Sequence, residues 1–171
     1  MDRYLLVDGY NIIHAWDNLK ALAEDSLDHA RKTLIDTLIN LSGLTNEKII
    51  IVFDAHKVNG GIESTEDYNK VMVVYTKEKE TADTYIERHS KILAKKYFVR
   101  VATQDLAEQV IIIGSGAYVL SPKALAAEIE SAECEISKAV GNKAIKTNLL
   151  MDNIDKKTAR LLEEMRLNKN M

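Results

Sequence analysis

Tyr4-Leu5-Leu6-Val7-Asp8-Gly9-Tyr10-Asn11 is a short apolar run that stops at an acid and a glycine. A run of this length without polar alternation reads as a strand buried on both faces, and Asp-Gly reads as the turn at its carboxyl end. The pattern recurs along the chain. Ile49–Phe53 is β-branched and apolar and ends at Asp54, and Phe98–Ala102 ends at Thr103-Gln104-Asp105. Val71–Tyr75 reads as another strand and Tyr118–Leu120 as a short fifth one. Helical spacing fills the intervals. Ser26 stands as a cap before Leu27, Ala30, Leu34, Leu38 and Leu41, and Thr81 as a cap before Ala82, Tyr85, Ile86, His89 and Leu93. A short helix is expected over Leu106–Gln109, and the stretch His56–Asn69, with Gly60-Gly61, reads as a loop. Ser121-Pro122 begins a helix expected to end at Gly141-Asn142, and Asp152 begins a last one with Ile154, Leu161, Leu162 and Met165 inward.

Strands alternating with helices imply an α/β fold. The sheet is expected to be mostly parallel, with four to five strands flanked by helices. Residues 1–120 read as the domain and 121–171 as a helical extension. The chain has 171 residues, 46% of them apolar, which suits a domain with a real core rather than a disordered segment. No apolar run is long enough to cross a bilayer. The first residues run straight into a strand pattern without a signal-peptide core, and Cys134 is the only cysteine, so a cytoplasmic location is expected. Cys134, on a helical pattern, is expected to pack. Net charge is −3, which is not the bulk basic charge of many nucleic-acid binders. Basic residues do cluster, at Lys91, Lys95, Lys96 and Arg100 and again at Lys138, Lys143, Lys146, Lys156, Lys157 and Arg160. Such clusters serve either as phosphate tracks or as solvated helix faces.

In parallel sheets, ligands bind beyond the carboxyl ends of the strands. Asp8, Asp54 and Asp105 all sit at such ends, and Glu80 and Asp83 flank the start of the helix after Tyr75. Several carboxylates are therefore expected on one rim. Such a group is stable only when protons or a cation neutralise it, and hard ions such as Mg²⁺ and Mn²⁺ prefer carboxylate and water oxygens. One ion or two would fit. Asn11 is placed to orient a water or a phosphate, Thr103 to offer a hydroxyl, and Tyr10 to stack on a base. Each residue also has a plainer use: Asp8 as turn chemistry, Asp54 as a strand end, Asp83 at a helix dipole, Asp105 as a cap. Their coincidence at one rim favours a site. The four histidines have no partner spacing, and no His/Cys pattern for zinc is present.

Val7-Asp8-Gly9-Tyr10-Asn11, Val52-Phe53-Asp54-Ala55, Lys77-Glu78-Lys79-Glu80-Thr81-Ala82-Asp83 and Val101-Ala102-Thr103-Gln104-Asp105 with Glu108-Gln109 together resemble the NYN group of PIN-like nucleases. More narrowly, the chain is similar to the bacterial YacP-type NYN proteins, which include ribosome-associated endoribonucleases that cut messenger RNA. The resemblance implies a three-layer PIN-like fold and cleavage of single-stranded RNA, with messenger RNA on translating ribosomes as the expected substrate. It implies Asp8, Asp83 and Asp105 as catalytic acids holding Mg²⁺ or Mn²⁺, with Asn11 and Asp54 assisting; from their places on the rim, Asn11, Tyr10, Glu80 and Thr103 are expected toward the substrate. Gln104 departs from the pattern, which would have a small residue such as serine there.

A non-catalytic RNA- or ribosome-binding module on the same fold is the main alternative. Neither a membrane partner nor a nucleotide cofactor is expected. A haloacid-dehalogenase-type phosphatase would need a second aspartate where Tyr10 stands. A receiver domain would need paired early acids and a late lysine, and a dinucleotide-binding domain Gly-x-Gly-x-x-Gly after the first strand. None of these patterns is present.

Overall fold

The computed structural model describes residues 1–54 and 64–152, with 141–152 as backbone alone. Its strands are β1 (Arg3–Asp8), β2 (Lys48–Phe53), β3 (Ser64–Tyr68), β4 (Val71–Tyr75), β5 (Phe98–Ala102) and β6 (Tyr118–Leu120). Its helices are α1 (Gly9–Ala15), α2 (Asp17–Asp25), α3 (Leu27–Thr45), α4 (Ala82–Leu93), α5 (Leu106–Gly114) and α6 (Pro122–Asp152). The six strands form one sheet in the order β3-β4-β2-β1-β5-β6. Every neighbouring pair is parallel except β3 with β4.

β1 is paired on both edges, with β2 on one side and β5 on the other. It is also covered on both faces, which explains its unbroken apolar run. From β1 the chain builds outward through β2 and β4, then returns to build β5 and β6 on the opposite side. The carboxyl ends of β1 and β5 therefore flank a topological switch point, where parallel sheets open a crevice.

Strand periodicity divides the core into two layers. Leu5 and Val7 pack with Ile12 and Ile13 of α1, Leu19 of α2, Leu34 and Leu38 of α3, and Leu125 and Ile129 of α6. Leu6 packs on the other face with Ala82, Tyr85 and Ile86 of α4 and Ile112 of α5. By the same alternation, Asp8 follows Leu6 to the side of α4 and α5. The expected caps are present: Ser26 accepts from the His29 N–H and Thr81 from the Thr84 N–H. Asn46, in the left-handed region at φ 59°, ends α3.

The structure has one strand more than expected. β3 lies inside the segment read as a loop, but all its residues are exposed, so it carries no apolar alternation to betray it. It pairs through its backbone at the sheet edge. Residues 56–63 of the expected loop lie outside the described residues, as does the helix expected after Asp152. The turn expected at Asp8-Gly9 is the start of α1. Gly141-Asn142 does not end α6, which continues to Asp152. A glycine inside a helix costs only about 1 kcal/mol, so it does not force a stop. Met1 to Ala132 form one compact unit, which takes in the start of α6. Cys134 is exposed rather than packed. No described helix is long and apolar enough to cross a membrane.

Candidate active site

Asp8 is both strand end and helix cap. Its backbone is extended, and its Oδ1 accepts a hydrogen bond from the Asn11 N–H at 3.1 Å. The chain can turn into α1 so abruptly because Gly9 has no side chain. A Cβ there would lie 2.2 Å from a carbon of the buried Phe53 ring. The ring is rigid and held edge-on by Tyr10 and stacked by Tyr75, so it has little room to yield. Gly9→Ala is accordingly expected to destabilise the fold by about 1–3 kcal/mol, as overpacking does. Urea unfolding measures this, and an unchanged midpoint would contradict it.

Two further acids reach the same place from the helices. Asp83 is in the first turn of α4 and is exposed. Glu108 is in the first turn of α5 and is buried. Asp105 caps α5, its Oδ1 accepting from the N–H groups of Ala107 and Glu108 at 2.8 and 3.3 Å. A glutamate three residues beyond a cap ordinarily reaches back to the cap residue's N–H. Here the Thr103 Oγ1 accepts from that N–H at 3.1 Å, which leaves the Glu108 carboxylate to turn inward. One carboxylate oxygen from each of Asp8, Asp83 and Glu108 lies within 4.8 Å of the others.

This grouping is electrostatically unfavourable by itself. Neither Glu108 carboxylate oxygen meets a donor in hydrogen-bonding geometry. Burial pushes the Glu108 carboxyl up to about 7; the nearby Thr103 hydroxyl offsets part of this, and the charges of Asp8, Asp83 and Asp105 add to it. Carboxylates gathered from three elements, one of them buried with neither oxygen hydrogen-bonded, are a donor set suited to a hard divalent cation.

The structure separates the expected site residues. Asp8 and Asp83 come together. Asp105 stands beside them, close enough for its charge to act on Glu108, but it serves as a cap and is not among the three grouped oxygens. Asp54 follows β2, where its charge acts on the Tyr10 hydroxyl. Glu80 lies 2.8 Å from Arg88 as an ion pair, off the line of a hydrogen bond. Thr103 is fully buried and supports Asp105 and Glu108. The Asn11 Oδ1 accepts from the Gln104 N–H at 3.0 Å, tying the end of β5 to α1. Tyr10 is buried, its ring against Phe53 and its hydroxyl accepting from Arg31 at 2.8 Å, so no base stacks on it in this conformation.

Glu108 was not singled out from sequence as a site residue. The available signal was Asp105-x-x-Glu108 just past a strand end, which is equally the signature of a capping box. What distinguishes the two is Thr103, two residues before the cap.

The chain matches the family model described as "YacP-like NYN domain" over residues 5–167. It is 42% identical over 137 residues to YacP of Bacillus subtilis (strain 168), covering 80% of each chain. The crystal structure of Rae1 (YacP) from Bacillus subtilis superposes with a TM-score of 0.72 at 35% identity, over 99% of this chain and 97% of that one. A tryptophan-to-leucine mutant of Rae1 gives a TM-score of 0.70 at 38% identity, over 82% of each chain. By sequence and by fold, the chain belongs to the YacP-like NYN domain family.

Proposed function

We propose that the protein is a metal-dependent endoribonuclease that cleaves single-stranded RNA, acting in the cytoplasm on messenger RNA carried by translating ribosomes. The observation that carries this reading is the meeting of Asp8, Asp83 and Glu108 at the switch point of the sheet, with the Glu108 oxygens buried and without donors. Kinship with an NYN family supports the nuclease chemistry, and the likeness to the ribosome-associated members supports the substrate.

Asp8, Asp83 and Glu108 are the residues that would hold Mg²⁺ or Mn²⁺. Such an ion supplies an acidified water as nucleophile and neutralises charge building on the phosphodiester oxygens. The residues divide the work by burial. Asp8 and Glu108 form the floor, and exposed Asp83 faces the side from which a strand approaches. Asp105 and Thr103 fix the first turn of α5 and so aim Glu108. Asn11 holds the β5 rim against α1. Asp54, at the end of β2, adds its negative charge beside Tyr10, next to the start of α1.

The test is cleavage of translated and untranslated message. Purified protein is expected to cut in Mg²⁺ or Mn²⁺, to stop in chelator and to resume when the ion is restored. Asp83→Asn, at an exposed position, is expected to fold and not to cut. Equal cleavage by wild type and Asp83→Asn would place the chemistry elsewhere. RNA binding without cleavage under any condition would mark a binding module.

A further inference from the structure

We propose that the cavity beside Trp16 seats one unpaired base of the substrate strand, adjacent to the acidic cluster. The proposal rests on the ribonuclease reading above and adds a recognition site to it.

The cavity has a volume of about 860 Å³, within the usual range for small-molecule sites. It lies where the α1–α2 junction, the start of α6 and the residue after Thr103 converge. One wall is apolar: half-buried Trp16, with Leu19, Pro122 and Ile129. The indole is fixed, because its Nε1–H donates to the Pro122 carbonyl at 2.9 Å. A flat ring already held in place offers a stacking surface to any base, since every base has a π-face.

The rim fits a base rather than a purely apolar guest. Gln104 and Asn18 line the cavity and are exposed, and an amide can both donate to and accept from a base edge. Lys123 brings a cation within reach of a backbone phosphate, while Asp17 and Glu130 accept from exocyclic amino groups and oppose a second phosphate. This balance favours one base with one phosphate at its mouth.

Continuity with the acidic cluster selects the substrate strand as the source of that base. The Gln104 N–H donates to the Asn11 Oδ1, and the Asn11 N–H donates to the Asp8 Oδ1. Two hydrogen bonds thus join the cavity rim to the cation-holding group. The exposed Gln104 amide at this rim tunes which base is held.

Trp16 is the only tryptophan, so emission excited at the red edge, where the seven tyrosines do not absorb, reports this cavity alone. The full-length Asp83→Asn protein is titrated with an unstructured, end-labelled oligoribonucleotide, and label anisotropy and Trp16 emission are followed together. The expected result is quenching that tracks binding. A series of oligonucleotides with one abasic residue at successive positions is expected to show one position that restores emission and weakens binding by about tenfold. Gln104→Ala is expected to weaken binding severalfold and to change which base is preferred at that position. Binding by anisotropy with unchanged Trp16 emission and no distinguished abasic position would overturn the subsite and leave the ribonuclease reading standing. Wild-type protein that neither binds nor cuts RNA in Mg²⁺ or Mn²⁺ would overturn both.

Discussion

Glu108→Gln is expected to stabilise the metal-free protein at alkaline pH and to abolish cleavage. The folded carboxyl sits at about 7 against an ordinary 4.5. Below the ordinary value both folded and unfolded chains hold the proton, and the group adds no pH dependence. Between the two values the folded chain retains a proton that the unfolded chain has released, so stability falls as pH rises. Above about 7 the whole penalty is present, up to about 3 kcal/mol. Glutamine has nearly the same shape and no charge to bury. In chelator, thermal unfolding at about pH 8 should therefore favour the variant, and near pH 4 the two proteins should coincide. Adding Mg²⁺ or Mn²⁺ should raise the melting temperature of wild type and leave that of the variant nearly unchanged, because a ligand stabilises only the state that binds it. Cleavage by the variant should fall by roughly 100-fold or more, at or beyond the upper end of what loss of a supporting group costs a metal site. A variant less stable than wild type at pH 8 in chelator, or equal metal stabilisation of both, would remove Glu108 from the site.

Arg100→Ala is expected to cost about 3–5 kcal/mol, the range for stripping one partner from a buried ion pair. Glu47 is 1% exposed. Its Oε1 accepts from Arg100 Nε at 3.1 Å and its Oε2 from Nη2 at 2.7 Å, while Nη1 serves both oxygens of Glu128 on α6 at 2.8 and 3.0 Å. Burial works against the guanidinium charge, but the hydrogen bonds from Glu47 and Glu128 outweigh it and hold the group well above its ordinary value. Without Arg100, the ion-pair partner left to Glu47 among the described residues is Arg3, at 3.9 Å. Chemical denaturation of Arg100→Ala and of Arg100→Met with Glu47→Gln separates the causes. The double variant should recover much of the loss, because no buried charge is stranded. A loss below about 1 kcal/mol in the single variant would mean that Glu47 finds water or another partner.

Arg100 also shows where reading the chain failed. In sequence it belongs to a basic cluster with Lys91, Lys95 and Lys96. In the structure its side chain is 13% exposed and committed to two glutamates, one fifty-three residues before it and one twenty-eight after. Nothing local distinguishes a cation that tracks phosphate from one that bridges a strand to a helix. The parts that were legible depend on neighbours in the chain: the apolar runs of β1, β2, β4 and β5, the caps at Ser26 and Thr81, and the acids at strand ends. The parts that were not depend on what lies across the fold. β3 has no apolar face. Gly9 is read as turn chemistry until the Phe53 ring is seen against it. Tyr10 looks available until Arg31 and Phe53 enclose it. Glu108 looks like a cap partner until Thr103 takes the N–H it would have used. The rim of acids was legible because parallel topology dictates where strand ends gather; which acids turn inward was decided by side-chain competition for a few backbone donors.

The hydrogen bond from Asn11 to the Asp8 carboxylate has a consequence for how this fold ages. Asparagine caps a helix about as well as aspartate does. A lineage that exchanged one for the other at this position would keep its architecture while losing a charge that the proposed chemistry needs. Silenced copies would be outwardly indistinguishable from working ones, and only the side chains at a few rim positions would tell a retired enzyme from an active one.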